Sequence, residues 1–495
     1  MRRFSSTWLM FLVVALLAGY TAWDYRKAVK EEGVDADQEK RLFAMEPGDV
    51  EEIKVQQKDD LVDIKKENGV WHMLKPVDDE ADSSAVEAFN YSTVIQKGKF
   101  FRSEDDAKNT KWADYGLDPV TMSVEVKSAK KSESLQVSSK NAFDGSYYVR
   151  KGDELLLGDR GLAQIVARSP NSLRQRRLWR DTESTIERAD VEVDYEGLKE
   201  KFAILLKDGK WELGPKPAFD YDLERTANWL VQLERMTAQE IEIDLDTPAA
   251  DAKDIEVPLR SLGIPMHFKR AEGPKAGPWT FAKQTLRVTL HLKDAKGAAG
   301  TWILTAGPDI VQDGFVMANA RSTVYKIPAQ NLLPFRIPID YFRNGKKPFN
   351  FPVEQARRIE VFNEGKQRTF IKENSDWKLE GGDSVLQPDK LVALIQNIHQ
   401  LEAAEFVPQA KAKGFSAQQR VVVRDDKGAV LLDLSWGDPF PATRKYNKGM
   451  TLCYVRTNLE KDAMGVNQAA IASLNIALTE KKSPTKTETE KASKK

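Results

Sequence analysis

Reactive side chains are few in this chain, and their spacing decides what chemistry they could do. His72, His267, His291 and His399 each stand alone, without the His-Glu-x-x-His pattern or cysteine pair that would hold zinc. The one cysteine, Cys453, lies between Leu452 and Tyr454 in an alternating run, where a small core residue is expected and no internal disulfide can form. Ser128-Ala129-Lys130-Lys131 has the Ser-x-x-Lys spacing but no companion motif, and reads as a solvated turn. Glycoside hydrolysis needs paired carboxylates; the runs Asp78-Asp79-Glu80 and Glu104-Asp105-Asp106 read instead as solvated acidic loops. Phosphate-cradling and dinucleotide glycine motifs are missing, as is a nucleophile elbow. The expectation is a protein that is not an enzyme and carries no metal or cofactor.

Aromatic side chains remain as candidates for contact. Trp71, Trp211 and Trp377 end the same eight-residue pattern, at residues 64–71, 204–211 and 370–377. Asn68-Gly69 and Asp208-Gly209 permit positive φ at both corners of a two-residue hairpin, and Asn374-Ser375 is a weaker version. Two residues past a turn in each copy, the tryptophan is expected to plug a sheet against a helix. Trp279 and Phe281, in an insertion of the second copy, are expected as exposed aromatics that touch a partner or ligand.

The elements that must position these residues recur with them. An alternating run precedes each hairpin (Val50, Ile53, Val55; Ile186, Val191, Val193; Ile359, Val361), so each unit opens with a three-stranded meander. Eleven or twelve residues after each tryptophan an acidic helix start follows, at Asp82, Asp222 and Asp389, with capping-box spacing in Ser84-Ala85-Val86-Glu87. Leu391, Leu394, Ile395, Ile398 and Leu401, and in the second unit Leu223, Ala227, Leu230 and Leu233, keep helical period. Glycine turns come next, at Gly116-Leu117-Asp118, Gly263 and Gly414, then strands ending in Tyr148-Val149-Arg150, Phe315-Val316-Met317 and Tyr454-Val455-Arg456. Basic and aromatic joints at 173–181 and 335–343 link successive units.

The expected fold class is therefore α+β: an N-terminal transmembrane helix followed by three repeated modules, each a mainly antiparallel sheet with one major packed helix. The divisions are 1–30 for the cytoplasmic end and anchor, 31–181, 182–346 with insertions, and 347–478 for the modules, and 479–495 for a disordered Lys-rich tail.

Residues 7–23 are seventeen positions without a charge, preceded by Arg2 and Arg3 and flanked by Tyr20, Trp23 and Tyr25. At about 1.5 Å per residue that is long enough to span. A cleaved signal has only Gly19-Tyr20-Thr21 as a weak cleavage site, so an uncleaved anchor is favoured. Long segments after such an anchor are usually exported whatever their charge. The expected place is a bacterial inner membrane, single-pass, with the bulk of the chain periplasmic. The 75 basic and 75 acidic residues balance, but residues 1–30 carry net +4 and 479–495 net +3, leaving a body of −7. That excludes a nucleic-acid binder that is basic throughout and places positive charge at the two ends, where anionic surfaces would be met.

The hairpin ending in Trp71, Pro76, Ala81-Asp82, the Tyr115-Gly116-Leu117-Asp118-Pro119 turn, Tyr148-Val149-Arg150 and the 173–181 joint together resemble the bacterial domain-of-unknown-function family 4340. The match is best over 47–181 and extends through the later units, where Gly263-Ile264 and Gly414-Phe415 depart from Gly-Leu-Asp. No motif of the resemblance is catalytic. It implies exported, single-pass proteins found beside ABC-type transport components similar to those of gliding motility. The expected function is a non-enzymatic accessory or scaffold subunit contacting an ABC permease or auxiliary subunit. The alternatives are a binding protein for an envelope polysaccharide or peptide, and an envelope hydrolase with carboxylates assembled from different units.

Overall fold

Backbone pairing dominates what this sequence builds. The computed structural model describes residues 39–58, 60–102, 110–181, 183–245, 252–270, 279–319, 321–363, 365–381 and 384–481. The apolar stretch 7–23, the acidic run 104–106, the inserted residues 246–251 and 271–278, and residues 482–495 lie outside the described residues. Among the described residues no helix is long and apolar enough to cross a membrane. The chain divides into two compact units, residues 1–177 and 178–495.

The first unit holds β1 (Glu39–Arg41), β2 (Val50–Gln57), β3 (Asp60–Glu67), β4 (Val70–Lys75), β5 (Asp79–Glu80), β6 (Lys97–Arg102), β7 (Met122–Ser128), β8 (Ser132–Asn141), β9 (Tyr147–Lys151) and β10 (Glu154–Gly158). They form one sheet in the order β1-β6-β10-β9-β8-β7-β2-β3-β4-β5, with every neighbouring pair antiparallel. Helices α1 (Ser83–Val94) and α2 (Arg160–Val166) complete the unit.

The second unit continues with β11 (Thr185–Tyr195), β12 (Leu198–Lys207), β13 (Lys210–Gly214), α3 (Leu223–Glu234), β14 (Glu240–Asp244), β15 (Asp254–Pro258), β16 (Pro265–Arg270), β17 (Trp279–Phe281), β18 (Leu286–Lys293), β19 (Ala299–Ala306), β20 (Asp313–Ala318) and β21 (Thr323–Pro328). Then come β22 (Arg358–Asn363), β23 (Lys366–Glu373), β24 (Asp376–Leu379), β25 (Ser384–Leu386), α4 (Pro388–His399), β26 (Ala403–Val407), β27 (Arg420–Arg424), β28 (Val430–Pro441), β29 (Thr451–Thr457), β30 (Ala463–Asn467), α5 (Gln468–Ala472) and β31 (Thr479–Lys481). The two large sheets run β13-β12-β11-β18-β19-β20-β21-β14 and β24-β23-β22-β27-β28-β29-β30-β26. The same path is drawn in all three large sheets: a meander, a helix, a strand sent to the far side, then four strands that fill the gap; in the first sheet β1 adds one further strand outside β6.

Local chemistry accounts for the path. Asn68 and Gly69 have φ of 49° and 84°, and Asp208 and Gly209 have 50° and 74°, so both hairpins close with the two-residue turn whose twist suits paired strands. Asp82 and Asp222 cap their helices by accepting the N–H of Ala85 and Arg225, both at 3.0 Å. Glu87, expected to complete a capping box from Ser84, instead accepts the indole N–H of Trp71 at 2.8 Å. The third helix departs from the pattern: Gln387 precedes Pro388 at the first turn with no side-chain cap, and Asp389 lies inside that turn. Each helix buries one stripe on its sheet: Val86, Phe89 and Val94; Trp229, Leu230 and Leu233; Leu391, Leu394, Ile395 and Ile398. Leu223, expected in the second stripe, is 45% exposed at the first position of the helix, and the buried stripe runs through Thr226, Trp229, Leu230 and Leu233.

Each path ends by returning to its own helix start. The N–H of Asp82 bonds Leu173 O, that of Asp222 bonds Phe342 O, and that of Gln387 bonds Leu478 O. The third return corrects the expected tail, since Thr479–Lys481 pairs with Ser384–Leu386 as a two-stranded ribbon. In the first return Arg174 is fully buried and held by Asp79 at 3.0 Å, so Asp79 is a core ion pair and not part of a solvated loop.

Candidate functional site

Strand alternation explains the closing motifs. Val149, Val316 and Val455 point into the three cores, so Tyr148 and Arg150, Phe315 and Met317, and Tyr454 and Arg456 point to the face opposite the helices. The described part of the segment that leads back from the far strand to the first of the four filling strands crosses this face like a strap. In the first sheet Trp112 lies 4.1 Å from the Arg150 guanidinium, and Phe101, Tyr115 and Tyr148 meet edge-to-face at 5.0–6.0 Å. In the third, Phe415 lies 3.9 Å from the Arg456 guanidinium. The three glycine turns sit on the straps, with φ of 68° at Gly116, 65° at Gly263 and 79° at Gly414. A Cβ at Gly414 would fall 2.1 Å from the carboxyl carbon of Asp438, so glycine is required there twice over.

In the second sheet the strap has grown into the small sheet β15-β16-β17. This corrects the reading of Trp279 and Phe281 as exposed contacts: they are 4% and 0% exposed, packed with Phe268, Phe315 and Met317 in a core of their own. An aromatic-rich insertion over an open sheet face buries itself on that face. The repeated tryptophans also separate. Trp71 is buried, while Trp211 and Trp377 are partly buried at the margins of their cores. Leu117 is buried, and Asp118 is exposed beside the first strap turn. Cys453 is buried in β29, which pushes its thiol pKa up. His291 and His267 face Asp190 and Asp254, and His399 packs on Phe351.

A feature the sequence reading missed stands at the hairpin joining the second and third of the four filling strands. In the third sheet this tip, residues 442–450, docks on the second sheet. Arg444 donates to Asp340 Oδ2 at 2.7 Å, Lys445 pairs with Glu196, and Tyr446 meets Tyr341 edge-to-face at 5.2 Å. Glu405 orders the tip from behind, accepting the N–H groups of Thr443 and Arg444 at 3.1 and 2.8 Å. Beside it Arg343, whose guanidinium lies 3.9 Å from the Phe406 ring, bonds Glu460 and Asp462.

The same tip in the first and second sheets ends in the most exposed large apolar side chains among the described residues. Phe143 is 109% exposed and Val311 is 90% exposed. The Phe143 turn is held in shape: Ala142 and Ser146 bond across it at 2.8 Å, Asp144 accepts from the Ser146 N–H at 2.8 Å, and Arg160 bonds Asp144 O. A cleft of about 410 Å³ opens alongside, lined by Gly98, Asp144, Ser146 and Gly158 among others. Val311 adopts φ +59°, a left-handed conformation that a β-branched residue strongly resists. The signal in the sequence was the position of these residues between paired strands, which shows only once the extra strand of each path is known.

A family model described as a domain of unknown function, DUF4340, matches residues 71–257 and 276–420. The interruption falls within the strap insertion of the second sheet, and the match runs well past the first unit. No curated protein matches the chain.

Proposed function

The chain belongs to the DUF4340 family, and from that membership we propose that it is a non-enzymatic scaffold that binds other proteins through its hairpin tips. Residues 7–23 hold it in a bacterial inner membrane as a single-pass anchor, and the three modules lie on the periplasmic side. Its partner is a permease or auxiliary subunit of an ABC-type transport system.

The observation that carries the reading is the tip series. One tip already docks on folded protein within the chain, between the third and second sheets, through one aromatic and two cations. The other two present a single apolar side chain to solvent. A braced, fully exposed aromatic is poor for solubility and good for binding, because little conformational freedom is lost when it docks. The strained φ of Val311 points the same way, since neither packing nor local preference favours valine there. Several weak contacts on one chain add through effective concentration.

The test is recovery of the full chain from native membranes in mild detergent. A permease or auxiliary subunit is expected to accompany it and to be lost with Phe143→Asp; repeated isolation as a lone monomer contradicts the proposal. A second reading, binding of an envelope polymer, draws support from the half-exposed aromatic group Phe101, Tyr115 and Tyr148 beside Trp112. Under that reading Tyr148→Ala removes retention on immobilised glycan or peptide while Phe143→Asp does not.

A further inference from the structure

The seam between the second and third sheets concentrates acid around one guanidinium. Asp340 on the joint, Glu405 on β26 and Glu200 on β12 surround Arg444 of the docked tip. Arg444 Nη2 donates to Asp340 Oδ2 at 2.7 Å, its backbone N–H donates to Glu405 at 2.8 Å, and Glu200 accepts the Ile339 N–H at 2.7 Å. Asp340 Oδ1 is shut off from solvent and has no hydrogen-bond partner among the described residues. Arg343 is the other cation in reach, and it is committed to Glu460 and Asp462. Tyr446 and Tyr341 close the seam with their rings.

We propose that this seam is an acid-set latch: one proton taken up by the Asp340–Glu200 pair holds the third sheet's tip on the second sheet, and its loss as pH rises loosens the tip. Three carboxylates facing one available guanidinium leave uncompensated negative charge in a half-buried seam, where repulsion is less screened than in bulk water. A proton removes that charge from a carboxylate one of whose oxygens, Asp340 Oδ1, is cut off from solvent and unpartnered.

The direction of the titration agrees. Burial pushes the Asp340 carboxyl above its ordinary range; Arg444 and Arg343 pull it back, and Glu405 pushes it further. Burial likewise raises Glu200, against the Ile339 N–H, with Asp340 adding to the rise and Arg444 opposing it. Burial and the Asp340 charge hold the Tyr446 phenol protonated throughout. A carboxyl raised in the folded state contributes stability that is complete below its ordinary value and is lost as pH rises through the raised one. The latch therefore closes on the acid side and opens towards neutral and alkaline pH. The Arg225–Glu402 pair, which lies outside the tip, still joins the second and third sheets' modules when the tip loosens.

Hydrogen exchange of the purified full chain, corrected for the intrinsic pH dependence of exchange, tests this at the amides of Thr443 and Arg444. Protection higher at pH 5 than at pH 8 is expected in the natural protein, by roughly tenfold if the latch couples to a single proton. Asp340→Asn, which is uncharged at every pH, is expected to show the high protection at both. Glu200→Gln, which leaves the Arg444 bond untouched, is expected to shrink the pH response. Protection that is flat or falls on acidification in the natural protein overturns the latch. So does an unchanged pH response in Glu200→Gln, and that second readout stands if Asp340→Asn does not fold.

Discussion

Val311 is where position and local preference disagree most openly. A valine at φ +59° costs about 1–2 kcal/mol relative to a residue that tolerates the left-handed region, and its side chain recovers nothing from packing at 90% exposure. Val311→Asn should therefore raise the thermal stability of the second unit by about 1 kcal/mol. Under the scaffold proposal the same change weakens partner recovery, a trade of stability against binding that calorimetry and co-purification read separately. Gly414 is the opposite case, because residue and geometry agree. Gly414→Ala meets both a positive φ and the Asp438 carboxyl, and should cost more than about 1 kcal/mol, seen as a lower denaturant midpoint at unchanged slope. The three glycine turns were legible in the sequence because only glycine adopts φ near 70° freely. The fate of Trp279 and Phe281 was not, since their burial depends on a sheet face whose strands lie far along the chain.

At the scale of elements, short-range signals carried furthest. The Asn-Gly and Asp-Gly hairpins, the Asp82 and Asp222 starts and the helical stripes were readable because turn chemistry, capping and period act within a few residues. The far-side strands β6, β14 and β26 were not. Lys97–Arg102 carries charge that blurs alternation, and its partners β1 and β10 are far away in sequence. Packing of the second helix rests on Trp229, which is buried and whose indole N–H donates to Pro334 O at 2.9 Å. Trp229→Ala should cost about 3–5 kcal/mol in the second unit while leaving exchange protection in the first unit unchanged. In the first unit the segment after β1 is tied down by Glu133. Burial opposes its charge, but the Ala44 N–H and the Lys131 and Lys151 ammoniums outweigh burial and bring the carboxyl down to about 2. A depressed carboxyl gives stability that is present above its ordinary value of 4.5 and lost as pH falls towards about 2. Glu133→Gln should thus weaken the first unit by about 1–3 kcal/mol at neutral pH. The loss should vanish near pH 2, as read by acid titration followed by circular dichroism.

For the whole molecule, three drawings of one strand path give one chain three hairpin tips with different fates. Where a tip meets protein it carries Arg444, Lys445 and Tyr446; where it meets solvent it carries Phe143 or Val311. The repeat itself was visible in the sequence through its tryptophans and turns, but the tips acquire meaning only beside the docked copy. Charge divided along the chain, with positive ends and an acidic body, is the division that the tethered-scaffold proposal expects. The measurement that reaches the central claim most directly is photo-crosslinking in native membranes, with a photoreactive phenylalanine placed in turn at Phe143, Val311 and the exposed helix residue Tyr91. The scaffold reading predicts a heavier species containing a transport-system subunit from positions 143 and 311 and none from 91. Crosslinks that are absent at both tips, or equal at all three positions, would contradict it.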